Sequence, residues 1–145
     1  MKRKACGAFT LIELLLVMVI IAVLASVMVP VYFKQIDKVH VNGTKADIAI
    51  LKTALAHFEI DNGRFPTTEE GLAALVVRPA GLGESWGGPY MEQITTDKWG
   101  VPYIYMNPDP DNPDNYRLLS CGKDGQAYTS DDITQYSVGN AAPAQ

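Results

Sequence analysis

Residues 1–30 read MKRKACGAFTLIELLLVMVIIAVLASVMVP, and this stretch decides the fold. From Phe9 to Phe33 the chain runs apolar for 25 residues, with Glu13 as the one side chain charged at neutral pH. That length exceeds the roughly 20 apolar residues a helix needs to cross a bilayer. Lys2, Arg3 and Lys4 stand directly before it, and a basic flank on a first spanning segment keeps that end in the cytoplasm. The bulk of the chain, from Lys34 onward, is then expected on the far side.

Three ordinary readings of the stretch compete. A secretory signal would be cut after Val23-Leu24-Ala25, before Ser26. A charge inside the apolar region opposes that reading, and the run is longer than the roughly 7 to 15 residues such regions have. A plain anchor leaves Glu13 as a cost of roughly 2.5 to 3.5 kcal/mol unless it snorkels to the interface. Lipid modification at Cys6 lacks the apolar segment that would have to precede it. A fourth reading supplies a partner. A cut just before Phe9 creates an α-amino group with an unperturbed pKa of about 7.7 to 8.0, cationic at neutral pH. The helix rise of about 1.5 Å per residue keeps that amine away from Glu13 of its own helix. A neighbouring copy, shifted along the axis, brings the two together. Glu13 then sets the register in which many copies pack, each helix apolar all round and buried on assembly.

The residues Ala8-Phe9-Thr10-Leu11-Ile12-Glu13-Leu14 resemble the class III signal of type IV pilins and type II secretion pseudopilins. The resemblance implies cleavage between Ala8 and Phe9 by a prepilin peptidase, methylation of the new Phe9 amine, and a role for Glu13 in assembly. Pro30, 21 residues after Phe9, falls at the family's position for a helix proline. The family has Gly just before the cut, whereas here Gly7 comes one residue early and Ala8 takes that place. A cut after Gly7 would shift the carboxylate out of register, and Ala is small enough to substitute.

Beyond the spanning segment, a chain of 145 residues leaves one small extracytoplasmic domain. The net charge of the whole chain is −4, and loss of Lys2, Arg3 and Lys4 with the leader brings it to −7. No basic footprint for nucleic acid survives. Cys6 leaves with the leader, so Cys121 is alone and the mature chain forms no internal disulfide.

After Phe33 the helical pattern continues but turns amphipathic. Ile48, Leu51, Leu55 and Phe58 form one apolar stripe. Lys45, Lys52 and Glu59 fall off it, which predicts a wet opposite face, and Asp61-Asn62-Gly63 supplies a stop. The spacing predicts one helix of about 50 residues with weak points at Pro30 and Asn42-Gly43. His40 and His57 lie in it without a ligand or catalytic pattern.

The stretch DNGRFPTTEEGLAALV, residues 61–76, pairs Thr67 with Glu70 as a capping box opening a short helix through Leu72, Leu75 and Val76. This stretch closely resembles the segment after the long helix in the G-type major pseudopilins of type II secretion. Residues 78–89 read as a loop. Thr96-Asp97-Lys98-Trp99-Gly100 resembles that family's Asp-Pro-Trp-Gly turn, with Lys98 in place of Pro. VPYIYM (101–106) and NYRLLS (115–120) read as two antiparallel strands. Their linker offers Asp109, Asp111 and Asp114 as cation ligands but fails the EF-hand template, since Asp114 stands where the sixth-position Gly belongs. It is read as a Pro-stiffened loop.

In LSCGKDGQAYTSDDI, residues 119–133, Asp124, Asp131 and Asp132 share one loop that Gly122 and Gly125 let curl. Three close carboxylates repel, and Ca2+ accepts the irregular mixture of carboxylates and carbonyls such a loop offers; a plain polar turn accounts for the same residue types. The major pseudopilins carry a calcium loop of the form Ser-x-Gly-x-Asp-Gly followed by Thr-x-Asp-Asp-Ile, which Ser120, Gly122, Asp124, Gly125, Thr129, Asp131, Asp132 and Ile133 resemble. The resemblance implies Asp124, Asp131 and Asp132 as side-chain ligands, with carbonyls from around Leu118, Ser120 and Gln126. Tyr128 replaces the family's Gly. A small domain without disulfides is helped by such a staple.

The expectation is an α+β, type IV pilin-like chain with a long N-terminal helix packed on a small antiparallel sheet that carries a calcium-binding loop. The leader spans residues 1–8, the filament-core helix 9–33, the periplasmic head 34–136 and a flexible tail 137–145. The resemblance implies a subunit of a periplasmic pseudopilus, assembled from many copies on an inner-membrane platform with minor pseudopilins and driving folded proteins outward. No Ser/His/Asp set, phosphate loop or zinc motif suggests an enzyme. Two alternatives share parts of the pattern. One is a type IV pilin for adhesion, motility or DNA uptake, which often closes its C-terminal region with a disulfide this chain lacks. The other is a monomeric anchored calcium-binding module, which would need neither the cut nor Glu13.

Overall fold

The computed structural model describes residues 10–83 and 85–137, so the expected cleavage at Ala8 and Phe9 and the tail residues 138–145 lie outside the described residues. Helix α1 spans Leu11–Asn62. Thr10 closes its first turn, where its carbonyl and hydroxyl oxygens accept the Glu13 N–H at 3.1 and 3.4 Å. At the other end the Asn62 side-chain amide donates to the Phe58 carbonyl at 2.8 Å and the Gly63 N–H to the Glu59 carbonyl at 2.7 Å. The expected stop is therefore in place, and the helix is unbroken at Pro30 and at Asn42-Gly43.

The chain divides into two compact units, Met1–Lys38 and Val39–Gln145. In the first, the large apolar side chains from Leu11 to Phe33 are all exposed, none below 44%. This is the one helix among the described residues long and apolar enough to cross a membrane. Nothing within the unit covers it.

The second unit buries its own core. Ile48, Leu51, Leu55 and Phe58, the stripe expected from the 3.6-residue period, are at most 2% exposed. They pack with Leu75, Tyr105, Tyr116, Leu118 and Ile133, and each large apolar side chain so buried contributes about 1.5 to 3 kcal/mol. Gly43 leaves room for the Lys98 side chain, whose Cε would stand 2.8 Å from a Cβ there. The Lys98 ammonium pairs with Asp47 at 2.7 Å, the Lys98 N–H donates to the buried Thr44 hydroxyl at 3.3 Å, and the Trp99 ring meets the His40 ring edge-on at 5.6 Å. The 97–100 turn thus docks on α1, and the turn survives the replacement of Pro by Lys98.

The sheet has three antiparallel strands in the order β1 (Ile104–Met106), β2 (Arg117–Ser120), β3 (Ile133–Thr134). Tyr105 faces Leu118 across the first pair, and Ser120 faces Ile133 across the second. The third strand corrects the two-strand expectation. Its two backbone residues are too few to show a period-2 pattern, and the Gln135 side chain extends the pairing, accepting the Leu118 N–H at 2.8 Å and donating to the Tyr116 carbonyl at 2.5 Å.

The capping box forms: the Glu70 N–H donates to the Thr67 hydroxyl at 3.2 Å, and the Thr67 N–H to the Glu70 carboxylate at 2.8 Å. It opens a turn rather than the expected helix. Gly71, at φ 58 and ψ −164, leaves helical geometry, and only a 3-10 turn at Leu72–Leu75 follows. Arg64 grips Glu70 with two hydrogen bonds of 2.7 and 2.8 Å, and this contact holds the carboxyl at about 2.

Candidate functional site

Two regions carry the candidate functional residues, the apolar helix and the acidic loop. Glu13 lies in the first turn of α1 with an exposed side chain, among apolar neighbours that are exposed as well. A helix with no polar face is covered by other helices or by lipid, so the unit has the character of a segment completed from outside. Between Phe9 and Phe33, Glu13 is the only acidic or basic side chain.

The acidic loop, residues 121–132, joins β2 to β3, and the Ser120–Ile133 pair pins both of its ends. Asp131 is its organiser. One carboxylate oxygen accepts the N–H groups of Lys123 at 2.8 Å and Asp124 at 3.1 Å, and the other accepts the Thr129 hydroxyl at 2.6 Å. The Thr129 bond and the backbone donors hold its carboxyl below the ordinary range. Asp124 accepts the Gln126 N–H at 2.8 Å, and Asp132 accepts the Tyr128 N–H at 2.7 Å. Gly122 takes φ 64, and a Cβ there would stand 2.5 Å from the Asp131 carbonyl oxygen, so only glycine fits.

Asp124, Asp131 and Asp132 thus lie in one loop. Their donor type, carboxylate oxygen, suits a hard cation, and each carboxylate has lone pairs beyond those the loop N–H groups use. Among the described residues no three His, Cys, Asp or Glu side chains already converge as a metal-ligand group. The three carboxylates are instead turned to loop donors. Of the carbonyls expected to complete the set, Leu118 and Ser120 belong to β2, and the Gln126 oxygen lies 3.2 Å from the Thr129 hydroxyl.

Asp109 and Asp111 do something other than the cation binding their spacing permits: both pair with Arg117, Asp109 at 2.7 Å. Asp109 is 2% exposed, and burial alone would raise its carboxyl. The Asp111 N–H, the Arg117 guanidinium and the Tyr136 hydroxyl outweigh that and hold it low. Sequence reasoning missed Asp97. It is buried, accepts the Trp99 and Val101 N–H groups at 3.0 and 2.8 Å, and takes the Ser120 hydroxyl at 2.5 Å on its other oxygen. Ser120 in turn accepts the Gly122 N–H at 3.2 Å, so the 97–100 turn supports the entrance of the acidic loop. An acidic residue at the head of a tight turn was the available signal. Burial first, then the negative field of Asp132, Asp97, Asp124 and Asp131, pushes the Cys121 thiol up. The thiolate needed of a nucleophile is disfavoured.

Comparison with known proteins follows the same lines. A family profile described as "Type II secretion system (T2SS), protein G" matches residues 31–137, and one described as "Prokaryotic N-terminal methylation motif" matches residues 3–29. The type II secretion system core protein G of Aeromonas hydrophila is 36% identical over 141 residues, covering 95% of this chain and 97% of that protein. The protein of the same name from Escherichia coli K12 is 38% identical over 133 residues, 90% of each chain. The crystal structure of the major pseudopilin from the type 2 secretion system of enterohaemorrhagic Escherichia coli superposes with a TM-score of 0.61 at 32% identity, over 72% of this chain and 93% of that one. A long helix on a small antiparallel sheet, an N-terminal methylation motif and these relatives agree: the chain belongs to the type II secretion system protein G family and is a structural, non-catalytic subunit of the pseudopilus.

Proposed function

We propose that this pseudopilus subunit is made as a precursor held in the inner membrane by residues 9–33, with its N-terminus in the cytoplasm and its head, residues 34–136, in the periplasm. A prepilin peptidase removes residues 1–8 by cutting between Ala8 and Phe9, and the Phe9 amine is methylated. The helices then leave lipid for one another on an inner-membrane assembly platform, beneath minor pseudopilins. Glu13 of each incoming copy meets the Phe9 amine of a neighbour and fixes the axial step. The lengthening filament moves folded proteins outward.

The observation that carries this reading is the uninterrupted exposure of large apolar side chains from Leu11 to Phe33 around a single acidic residue. Such a surface is stable in water only when covered, and a carboxylate in it needs a cationic partner. The cationic flank of Lys2, Arg3 and Lys4 supports the orientation. A secretion assay tests the function: the proteins released into the medium are compared for cells carrying the chain and cells carrying Glu13→Ala. Loss of released protein with normal levels of the variant in the membrane is the expected result. Undiminished release from the variant would reject the role of Glu13.

The head domain is read as calcium-stapled. Asp124, Asp131 and Asp132 would hold Ca2+ through their carboxylates, with carbonyls from around Leu118, Ser120 and Gln126. Bound there, the ion would supply two positive charges against three crowded negative ones. The residues of the chain do the rest: Gly122 lets the Asp131 backbone approach, Thr129 orients Asp131, and Asp97 with Ser120 anchors the loop entrance.

A further inference from the structure

Arg117 and Tyr128 tie together two loops that are separate in sequence. Arg117 opens β2, and its side chain is 14% exposed. The Nη2 atom bonds Asp109 at 2.7 Å and also the carboxylate of Asp111, so the guanidinium anchors the turn that joins β1 to β2. That turn is closed by its own backbone bonds, Asp109 N–H to the Asn115 carbonyl at 2.7 Å and Asn115 N–H to the Asn112 carbonyl at 2.9 Å. On its other side the guanidinium lies over the Tyr128 ring, with Cζ 5.7 Å from the centroid. Tyr128 belongs to the acidic loop.

Tyr128 pays a backbone penalty to stand there. It is the one non-glycine among the described residues with positive φ, at 68, a strained conformation for a bulky side chain. Burial does not offset the strain, because the residue is 63% exposed. What holds it is the Asp132 carboxylate on its N–H at 2.7 Å, Met106 Sδ at 4.0 Å from its hydroxyl, and the guanidinium over its ring. A cavity of about 450 Å³ lies between the two loops, lined by Asp109, Arg117, Tyr128, Asp132 and Tyr136 among others.

We propose that Arg117 and Tyr128 form a clamp that couples the 107–114 turn to the 121–132 loop, so that the two open and close together whether or not a cation is bound. The guanidinium keeps its place over the ring only while Asp109 and Asp111 fix it. The ring in turn covers one side of the guanidinium, which with Asp109 is largely shut off from water while Asp111 stays exposed. Such coupling is reciprocal by necessity.

Hydrogen exchange on the full chain in detergent, in the presence of a chelator, tests the clamp. The decisive amides are those of Asp109, Asn112 and Asn115, whose hydrogen bonds all close the turn between β1 and β2. Tyr128→Asn keeps a residue that accepts positive φ and removes the ring, whereas Tyr128→Phe keeps the ring and removes the hydroxyl. The clamp predicts that Tyr128→Asn speeds exchange at those three amides roughly two- to fivefold, the factor an exposed cation–π pair of about 0.5 to 1 kcal/mol supplies, and that Tyr128→Phe, which keeps the ring and loses only the hydroxyl's interaction with the guanidinium, speeds it less. Unchanged exchange in Tyr128→Asn, or equal acceleration in both variants, would overturn the proposal.

Discussion

The two units of the chain solve opposite problems with the same element. Along residues 11–33, α1 presents apolar side chains in every direction and leaves them exposed; along residues 48–58 it presents one stripe, at most 4% exposed at Ile48, Leu51, Ala54, Leu55 and Phe58. The first pattern has nothing to bury itself against within its own unit. The second closes a core with the sheet and the 3-10 turn. Stability of the head is therefore a property of one chain, whereas the covering of the apolar segment depends on lipid or on other copies.

That contrast can be broken by mutation. Both tryptophans, Trp86 and Trp99, lie in the head, so their fluorescence follows its unfolding alone. Phe58→Ala should cost about 3 to 5 kcal/mol, the usual range for emptying a buried aromatic site, and lower the melting temperature accordingly. Leu15→Ala, in a residue 52% exposed, should leave the same melt unmoved. Equal effects would mean that the two regions do not divide as described.

Calcium sharpens the contrast within the head. If the acidic loop binds the ion only when folded, saturation at 100 times the dissociation constant adds about 2.7 kcal/mol. A chelator should lower the melting temperature of the full chain in detergent, and Asp124→Ala should abolish the difference. A melt indifferent to both ion and chelator would leave the loop closed by its N–H bonds alone.

A smaller effect of about 1 kcal/mol belongs to Glu70, which combines a cap with a two-bonded arginine pair. The Arg64 contact depresses its carboxyl from 4.5 to about 2 in the folded chain. Its contribution is therefore complete above pH 4.5 and fades as pH falls toward 2. Glu70→Gln should flatten that part of the stability profile, read by acid titration of the tryptophan signal; an unaltered acid limb would remove the argument. Smallest of all is Lys98→Ala, where the partly exposed pair with Asp47 contributes roughly 0.2 to 1 kcal/mol. A loss well beyond that range in a denaturant melt would show that packing on Gly43 matters more than the charge.

Much of this architecture was legible in the residues because it rests on local patterns. The 25-residue apolar run, the 3.6-residue stripe and the Asp61-Asn62-Gly63 stop each act within a few turns of chain, and α1 ends where they say. The acidic loop was legible in composition and only partly in geometry. Spacing placed Asp124, Asp131 and Asp132 in one loop, but that each would be turned to a loop N–H rather than to a common point depends on backbone directions set by Gly122 and the β2–β3 pair. β3 escaped notice because two residues carry no period, and Asp97 because its partner Ser120 lies 23 positions away. Gly71 shows a local signal overridden by its neighbour: the Thr67–Glu70 box formed, and a positive φ one residue later ended the helix it announced.

The central claim is that Glu13 directs the packing of helices that one chain cannot cover. Chemical cross-linking of membranes carrying the wild-type chain or Glu13→Ala, alongside the tryptophan melt of each purified protein, tests it most directly. The account predicts a ladder of multimers for the wild type, its loss in the variant, and identical melts. A full ladder from Glu13→Ala would contradict it.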